Sequence, residues 1–404
     1  MTAVVETGPA RHGLAGHSHV GGRTVPAQRD SHLHGVGSAD LLDHRAPSGK
    51  EENWRFTPMR RLRGLAEDAP FQGVFGADDD TVVQAPENVI VRRVSGDEAA
   101  RLKGLAGLPT DRPSARAWAA SSSVLLIDIP AQAQVSEPVV ITFIGTDVEK
   151  ASAGHVVVRV GAHASAQVAM VHEGSATLAD NIEIVVGDGA TLEFASMEEW
   201  ANDAVHLSHH HIRVGRDATL KHTALTFGGD LVRVVGTVTY DGPGGDAELT
   251  GLYFADAGQH LEHRLFVDHA VPHCKSRALY KGALQGAKAH TVWIGDVLIR
   301  KAAEGTDTYE MNRNLLLTSG ARADSVPNLE IETGEIVGAG HASATGRFDD
   351  EQLFYLLSRG IPPEVAKRLV VRGFFGEVLL RIGIPSVRER ASEIIERELA
   401  IAGI

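Results

Sequence analysis

Four histidines lie within ten residues of the sequence, in the segment VHLSHHHIRV at positions 205–214. Imidazole nitrogen is a common ligand of transition metals, so this density suggests a metal site. If the segment is a β-strand, His209 and His211 point to one face and His210 points to the other. No cysteine or carboxylate is spaced to complete a ligand set with His209 and His211. A structural role is therefore favoured over a specific metal site.

The single cysteine of the chain, Cys274, lies between His273 and Lys275. One cysteine excludes an internal disulfide and a zinc site of the CxxC type. A lone cysteine is most often a small buried hydrophobic residue. The neighbouring Lys275 could instead lower the pKa of the thiol and produce a thiolate ligand, which is the less favoured interpretation.

His341 has a different setting, in the segment VGAGHASATGRFDD. Glycine and alanine surround it, and such small neighbours would let another surface approach the imidazole closely. The same composition also suits a tight turn, and the residues alone favour that structural interpretation.

No catalytic signature accompanies these candidates, because the sequence lacks the GxxxxGK[ST] loop of ATP-binding proteins and the GxSxG and HExxH motifs. Its 52 acidic and 39 basic residues give a formal net charge of -13, which disfavours nucleic acid as a partner. No apolar run approaches the length of a membrane span, and the first residues do not resemble a signal peptide. We therefore expect a cytoplasmic protein without a membrane segment.

Four regions follow one another along the chain. Residues 1–48 are rich in Gly, His, Ser and Pro and are predicted to be a disordered arm. Residues 49–123 mix helical and strand patterns. Residues 124–346 consist of short apolar runs between Gly and Asp turns, and residues 347–404 have helical periodicity.

Three segments of the third region share the frame Val-Gly-x-x-Ala, with glycines at Gly161, Gly187 and Gly215. A repeat of about 26–28 residues made only of strands predicts coils stacked as a β-solenoid, since one coil cannot bury its Val and Ile side chains alone. We expect glycine at the corners because it adopts positive φ, and alanine because it fits tight bends. A β-sandwich is the competing architecture, but it does not explain the shared frame.

The C-terminal region is predicted to form amphipathic helices. Such helices would either cap the open end of the solenoid or dock a partner, and the pattern does not choose between these roles. The apolar side chains that would form a docking surface are Leu353, Phe354, Leu357, Val365, Leu369 and Phe374.

Two motifs resemble the SufB/SufD family of iron–sulfur cluster assembly proteins: ENWRFTPMRRL, and the run from SRALYKG to GHASATGRFDDEQLFYLLSRGIP. The resemblance covers about residues 50–400, and the length is closer to SufD-type members than to the longer SufB type. It implies a mainly β fold, a right-handed parallel β-helix flanked by N-terminal and C-terminal helical regions. It also implies a scaffold subunit that is not an enzyme. Such a subunit pairs with a SufB-like subunit through the β-helix and binds a SufC-like ABC ATPase through its C-terminal helices.

The same resemblance implies a role for His341 as a candidate ligand of iron or a nascent Fe–S cluster, held transiently and shared with SufB. Some members carry a cysteine two positions earlier, where this chain has Ala339. Sulfur ligands would then have to come from SufB, because Fe–S clusters prefer thiolate. A reduced flavin in the complex and a homodimer of this chain both stay open.

Two alternatives from other classes remain. The sequence Val-Gly-x-x-Ala-Thr resembles the unit of hexapeptide-repeat acyltransferases, which use a histidine as base. Against this, the glycines of the frame, at Gly161, Gly187 and Gly215, are spaced far more widely than a hexapeptide unit. A carbohydrate-acting β-helix protein is the second alternative, and the absence of a recognisable signal peptide disfavours it.

Overall fold

The structure is a computed structural model that describes residues 35–68, 70–75, 80–347 and 350–401, the last with the backbone alone at 350–353 and 401. It also describes the backbone of two short antiparallel strands, β1 (Ser18–His19) and β2 (Arg23–Thr24). The rest of residues 1–34, most of the predicted arm, lies outside the described residues. Contacts divide the chain into the units Met1–Val36 and Gly37–Ile404.

The second unit begins with a mixed region whose first residues belonged to the predicted arm. His44 is buried, and its carbonyl accepts a hydrogen bond of 2.7 Å from Arg112. The elements of this region are two 3₁₀ turns at Leu41–Asp43 and Met59–Arg61, strands β3 (Gly73–Val74), β4 (Thr81–Gln84) and β5 (Ile90–Ser95), and helices α1 (Gly96–Leu102) and α2 (Arg112–Ala120).

A long run of strands follows and confirms the predicted parallel solenoid. The strands are β6 (Ser123–Ile129), β7 (Val139–Val160), β8 (Ser165–Val186), β9 (Thr191–Trp200), β10 (Val205–Val214), β11 (Thr219–Thr226), β12 (Leu231–Tyr240), β13 (Asp246–Ala255), β14 (His260–His269), β15 (Lys275–Leu284), β16 (His290–Ile299), β17 (Asp307–Leu316), β18 (Arg322–Ile331) and β19 (Gly338–Arg347).

Each coil contributes one strand to each of two parallel ladders. Sheet one contains the second halves of β7 and β8 with β10, β12, β14, β16 and β18. Sheet two contains the first halves of β7 and β8 with β9, β11, β13, β15, β17 and β19. Within both sheets the neighbour of a strand comes from the next coil, which distinguishes the solenoid from a sandwich.

The glycines of the Val-Gly-x-x-Ala frame stack at one corner of successive coils, but not for the predicted reason. None of the three has a positive φ. A Cβ on Gly187 would lie 2.8 Å from the amide nitrogen of Ala162, and one on Gly215 would lie 2.9 Å from that of Asp188. Glycine is therefore required because the backbones of adjacent coils approach too closely for a side chain.

Side chains alternate between the solenoid interior and its two outer faces. The interior is a continuous cluster of buried residues, mainly Val, Leu, Ile and Ala, with a few large rings such as Trp293, Tyr253 and Phe194. The outer face of sheet one is covered by the N-terminal region, where Trp54 and Leu62 pack against Leu207.

The C-terminal helices are α3 (Asp350–Ser358), α4 (Pro363–Leu379) and α5 (Pro385–Ile401). Helices α4 and α5 cover the outer face of sheet two through a second apolar cluster that includes Phe375, Ile394 and Phe254. Arg390 of α5 also pairs with Glu199 of β9 at 2.6 Å. Both helices thus lie along the side of the solenoid, so the idea that they cap its open end is wrong for α4 and α5. No helix in the described part of the chain is long and apolar enough to cross a membrane.

Candidate functional site

The histidine run occupies β10 and divides between two environments. His206 and His210 face the interior, and His209 and His211 face outward beneath the N-terminal region. The imidazoles of His209 and His211 stack at 3.8 Å between ring centroids. His209 Nε2 lies 3.0 Å from Thr237 Oγ1 of the next coil, and His211 Nε2 lies 3.1 Å from Asn181 Oδ1 of the preceding coil. These contacts make both rings part of the packing between coils, and a metal role for them stays a prediction.

Cys274 is fully buried in the interior cluster, where its thiol lies 3.5 Å from the carbonyl oxygen of Gly242. Burial raises the pKa of this thiol, because the charged thiolate is disfavoured away from water. The lowered pKa considered for a thiolate ligand beside Lys275 is therefore contradicted, and the residue behaves as a small hydrophobic side chain.

His341 lies on β19, the last strand of sheet two, and is exposed. It pairs with Glu310 of β17 and shares the inward-facing side of the ladder with it. Among the described strands, none pairs with the outer edge of β19 or of β18 in the other sheet. His341 therefore stands at the open end of the solenoid, beside two unpaired strand edges.

Glu310 is a residue that the sequence analysis missed. It is buried to 1% exposure, and neither carboxylate oxygen has a hydrogen-bond partner among the described residues. Burial, with a smaller contribution from the nearby charge of Asp296, raises its pKa to about 8. Gly295 makes room for it, because a Cβ there would overlap Oε2 of Glu310. One pattern in the sequence could have indicated Glu310. It alternates with Asn312 and Asn314 along β17, which puts three polar groups on the inward face of one strand.

Further imidazoles line the interior between the first coils and this open end. His210 Nδ1 lies 2.9 Å from His222 Nε2, and His263 Nε2 lies 3.0 Å from Thr226 Oγ1. Burial lowers the pKa of both His210 and His263 to about 4. These rings are therefore neutral near pH 7 and act as hydrogen-bonding groups within the core.

The candidate docking residues of the C-terminal helices divide by exposure. Phe354 is 72% exposed and Leu369 is 42% exposed, and Leu357 and Val365 are also exposed. Phe374 is half-buried, with Lys281 Nζ 5.2 Å from its ring centroid. The side chain of Leu353 lies outside the described residues. We call Phe354, Leu357, Val365 and Leu369 the docking face, an apolar surface on the side of α3 and α4 that does not pack on the solenoid.

Comparison with known proteins agrees with this architecture. Residues 143–374 match the family described as "SUF system FeS cluster assembly, SufBD core domain". An iron-sulfur cluster assembly SufBD family protein of Mycobacterium bovis is 56% identical over 372 residues, which cover 90% of this chain and 92% of that protein. The iron-sulfur cluster assembly protein SufD of Bacillus subtilis is 27% identical over 281 residues, covering 67% of this chain and 63% of that protein. SufD of Escherichia coli is 30% identical over 173 residues, covering 43% of this chain and 40% of that protein.

Proposed function

Because the chain belongs to the SufBD family of iron–sulfur cluster assembly proteins, we propose that it is a non-catalytic scaffold subunit of a SUF assembly complex. In this proposal a SufB-like subunit pairs with the open end of the solenoid, and a SufC-like ABC ATPase binds the docking face. Iron or the nascent cluster, the cargo of the complex, is held where His341 meets the SufB-like subunit.

The unpaired edges of β18 and β19 support the position of the SufB-like subunit. An edge strand presents a row of backbone N–H and C=O groups that can pair with a strand of another chain. The side chains of β19 are small or exposed along its length, so a partner strand can approach without displacing packed residues. A second copy of this chain has the same backbone chemistry, and size exclusion of the co-expressed subunits distinguishes a pair of its own copies from a pair with the SufB-like subunit.

The docking face supports the position of the ATPase. Phe354 and Leu369 would lose a large exposed apolar surface on binding, and buried apolar anchors dominate the affinity of protein interfaces. The opposite side of α4 is held on the solenoid by Phe375 and by an ion pair of 2.8 Å between Glu377 and Lys281. A rigid support of this kind lowers the entropy lost when a partner binds.

Replacing both Val365 and Leu369 with Asp should abolish capture of the ATPase. The full chain is co-expressed with its SufB-like and SufC-like subunits, and the complex is analysed by size exclusion. We expect a three-subunit complex for the wild type. For the double variant we expect a complex that keeps the SufB-like subunit, with at least roughly 30-fold weaker ATPase binding, because two anchors become charged.

The control replaces both Val82 and Val83 with Asp, which puts the same two charges on exposed apolar residues of β4. It should leave the complex intact. Elution of the wild-type chain without a SufB-like subunit, alone or as a pair of its own copies, would contradict the scaffold proposal. Full ATPase binding by the double variant would contradict the position of the docking face.

The chemistry of His341 is that of an exposed imidazole without a thiolate beside it. Cys274 is buried in the core, and Ala339 occupies the position where some family members have cysteine. An imidazole can ligate iron or replace a thiolate in a cluster, while the remaining sulfur ligands have to come from the partner. His341 is thus the ligand that this chain contributes in the proposed site.

His341→Ala is expected to reduce cluster yield at least roughly tenfold while the complex still assembles, because even a group that only supports a metal ligand typically contributes that much to affinity or activity. Yield is measured as iron and acid-labile sulfide per purified complex. Ser343→Ala, on the same face of β19, is the matched control and should retain normal yield. An unchanged yield in the His341 variant would remove this residue from the assembly site.

The dimensions of the coils disfavour the acyltransferase alternative. Each strand of sheet one pairs with a strand of the next full coil, Val205 with Leu231 and His290 with Arg322, and the strands form two long ladders. A hexapeptide repeat would produce a much shorter coil face. The shared Val-Gly-x-x-Ala frame reflects the close approach of coils at one corner.

A further inference from the structure

A second group of ionisable side chains lies inside the first coils of the solenoid, away from His341. His172 and Asp180 come from the two halves of β8, Glu198 from β9 and His206 from β10. All four are buried, with 2% exposure or less. Charged groups enclosed in an apolar core are paired with one another or coordinate a metal ion, so this cluster is a candidate for either arrangement.

Three of these residues converge on one point. Nδ1 of His172 lies 3.1 Å from Oε2 of Glu198, and Nδ1 of His206 lies 3.0 Å from the same oxygen. One ligand atom from each residue lies within 4.8 Å of the others. Ligand atoms at about 2.0–2.1 Å from a tetrahedral zinc ion are separated by about 3.3 Å, so small side-chain movements would admit an ion.

The groups around these three residues have the arrangement that supports metal ligands. His206 turns its other nitrogen, Nε2, toward Oδ1 of Asp180 at 3.3 Å. A ligating histidine usually donates its second N–H to a carboxylate, which fixes the tautomer and the ring orientation. The His206–Asp180 pair lies at ion-pair distance but outside hydrogen-bond geometry, so a small rotation of the ring would complete that arrangement. Glu198 is oriented as well, because Ser196 Oγ donates to Oε1 at 2.7 Å and Trp200 Nε1 donates to Oε2 at 3.0 Å.

His172 has unused hydrogen-bonding capacity beside Glu198. Neither ring nitrogen of His172 has a hydrogen bond of good geometry among the described residues. The ring stacks on Phe143 at 5.1 Å between centroids, and the half-buried Phe75 lies 6.1 Å away on a similar plane. Aromatic packing and the contact of 3.1 Å between Nδ1 and Glu198 Oε2 together hold the imidazole with this nitrogen toward the carboxylate.

We propose that His172, Glu198 and His206 bind one divalent first-row transition metal ion, with Asp180 as the positioning residue for His206. Two imidazoles and one carboxylate suit Zn²⁺ or Fe²⁺, whereas Mg²⁺ and Ca²⁺ prefer oxygen ligands. The ion would balance the negative charges of Glu198 and Asp180 and would link strands from both sheets of the solenoid. It lies in the core of this chain and is separate from the cargo site proposed at His341.

The metal-binding member of the histidine run on β10 is then not the one that the spacing of the run suggests. His209 and His211, the pair that shares an outward face, are engaged in packing between coils. The metal-binding histidine of the run is instead His206. Its ligand partners, Glu198 and His172, lie on β9 and β8, the two strands that precede β10 in the chain.

The test measures metal on the full chain purified alone, without SufB-like or SufC-like subunits. The protein is produced in medium supplemented with zinc, or with iron under anaerobic purification, and is passed through gel filtration with EDTA. A buried ion exchanges slowly and is retained, whereas exposed histidines lose theirs. We expect about one ion per chain in the wild type and at least a roughly fivefold lower content in Glu198→Gln, which keeps the side-chain shape but weakens ligation.

His210→Asn is the matched control, since His210 also faces the interior from β10 but has no carboxylate ligand. It should retain the ion. In a second measurement, Co²⁺ added during slow thermal annealing should produce the visible d–d absorption of a four- or five-coordinate site in the wild type and not in Glu198→Gln.

Circular dichroism shows whether Glu198→Gln has folded into the solenoid. If this variant does not fold, the ion content and the Co²⁺ spectrum of the wild type alone test the proposal. Less than about a tenth of an ion per wild-type chain in both preparations, with no Co²⁺ absorption, would overturn the proposal. Equal ion content in wild type and a folded Glu198→Gln would also overturn it. Since no partner subunit is present, neither result depends on the scaffold function.

Discussion

Glu310→Gln is expected to raise the free energy of unfolding by up to about 5 kcal/mol above pH 8, and to change it little below pH 4.5. The reason is the pKa of Glu310, which burial raises from 4.5 to about 8 in the folded protein. Each unit of difference between folded and unfolded pKa corresponds to about 1.4 kcal/mol. Glutamine has the same shape and never ionises, so it avoids this cost.

The direction of the pH dependence follows from proton binding. Between pH 4.5 and about 8 the folded state keeps the proton on Glu310 while the unfolded state has lost it. The contribution of Glu310 to wild-type stability therefore falls as pH rises through this window and levels off above it. Chemical denaturation at pH 5, 6, 7 and 8.5 should show the difference between wild type and variant growing with pH.

The matched control is Glu335→Gln, which changes an exposed glutamate in the loop before β19. It should reproduce the wild-type pH profile. If the profiles of wild type and Glu310→Gln were parallel across the window, Glu310 would not hold its proton in the folded state. Such a carboxyl would then have a partner beyond those that the structure describes.

Phe375→Ala should destabilise the attachment of the C-terminal helices by about 3–5 kcal/mol, the usual cost of removing a buried phenylalanine ring. Phe375 is fully buried between α4 and sheet two, with its ring 6.3 Å from that of Phe254. Val371 and Val378 flank it on the same face of α4, so truncation would leave a cavity in the apolar cluster. Denaturation midpoints and the rate of limited proteolysis after the solenoid would both report the loss.

The neighbouring Phe374 provides the control, because it differs by one position and is half-buried. Phe374→Ala should cost at most about half as much stability, since less of its surface is removed from water. Equal destabilisation by the two changes would mean that α4 is not anchored through the face that carries Val371, Phe375 and Val378.

Much of the architecture was predictable because it depends on local periodicity. The shared Val-Gly-x-x-Ala frame predicted stacked coils, and β10 agrees with it, since Val205 pairs with Thr177 of the preceding coil and with Leu231 of the next. The alternation in β10 correctly separated His209 and His211 from His210. Residues of one strand decide such properties, and the side-chain period of two follows from strand geometry alone.

What surrounds each face was not predictable, because it depends on contacts between distant segments. No local pattern shows that α4 and α5 lie along sheet two instead of over the solenoid end. The positive φ expected for the corner glycines was also wrong, since the real constraint is the backbone of the preceding coil. Both depend on how closely separate parts of the chain approach.

The sequence by itself therefore determined the family, the parallel solenoid and the isolation of His341 from any cysteine. Only the tertiary structure decided that Glu310 is its register partner and that His206 meets His172 and Glu198 in the core. The physical reason is that a strand's own residues set the direction of its side chains. The register between coils sets the distances between side chains on neighbouring strands, and the segments that cover each face set how deeply those side chains are buried. Distance and burial together determine their charge and therefore their chemistry.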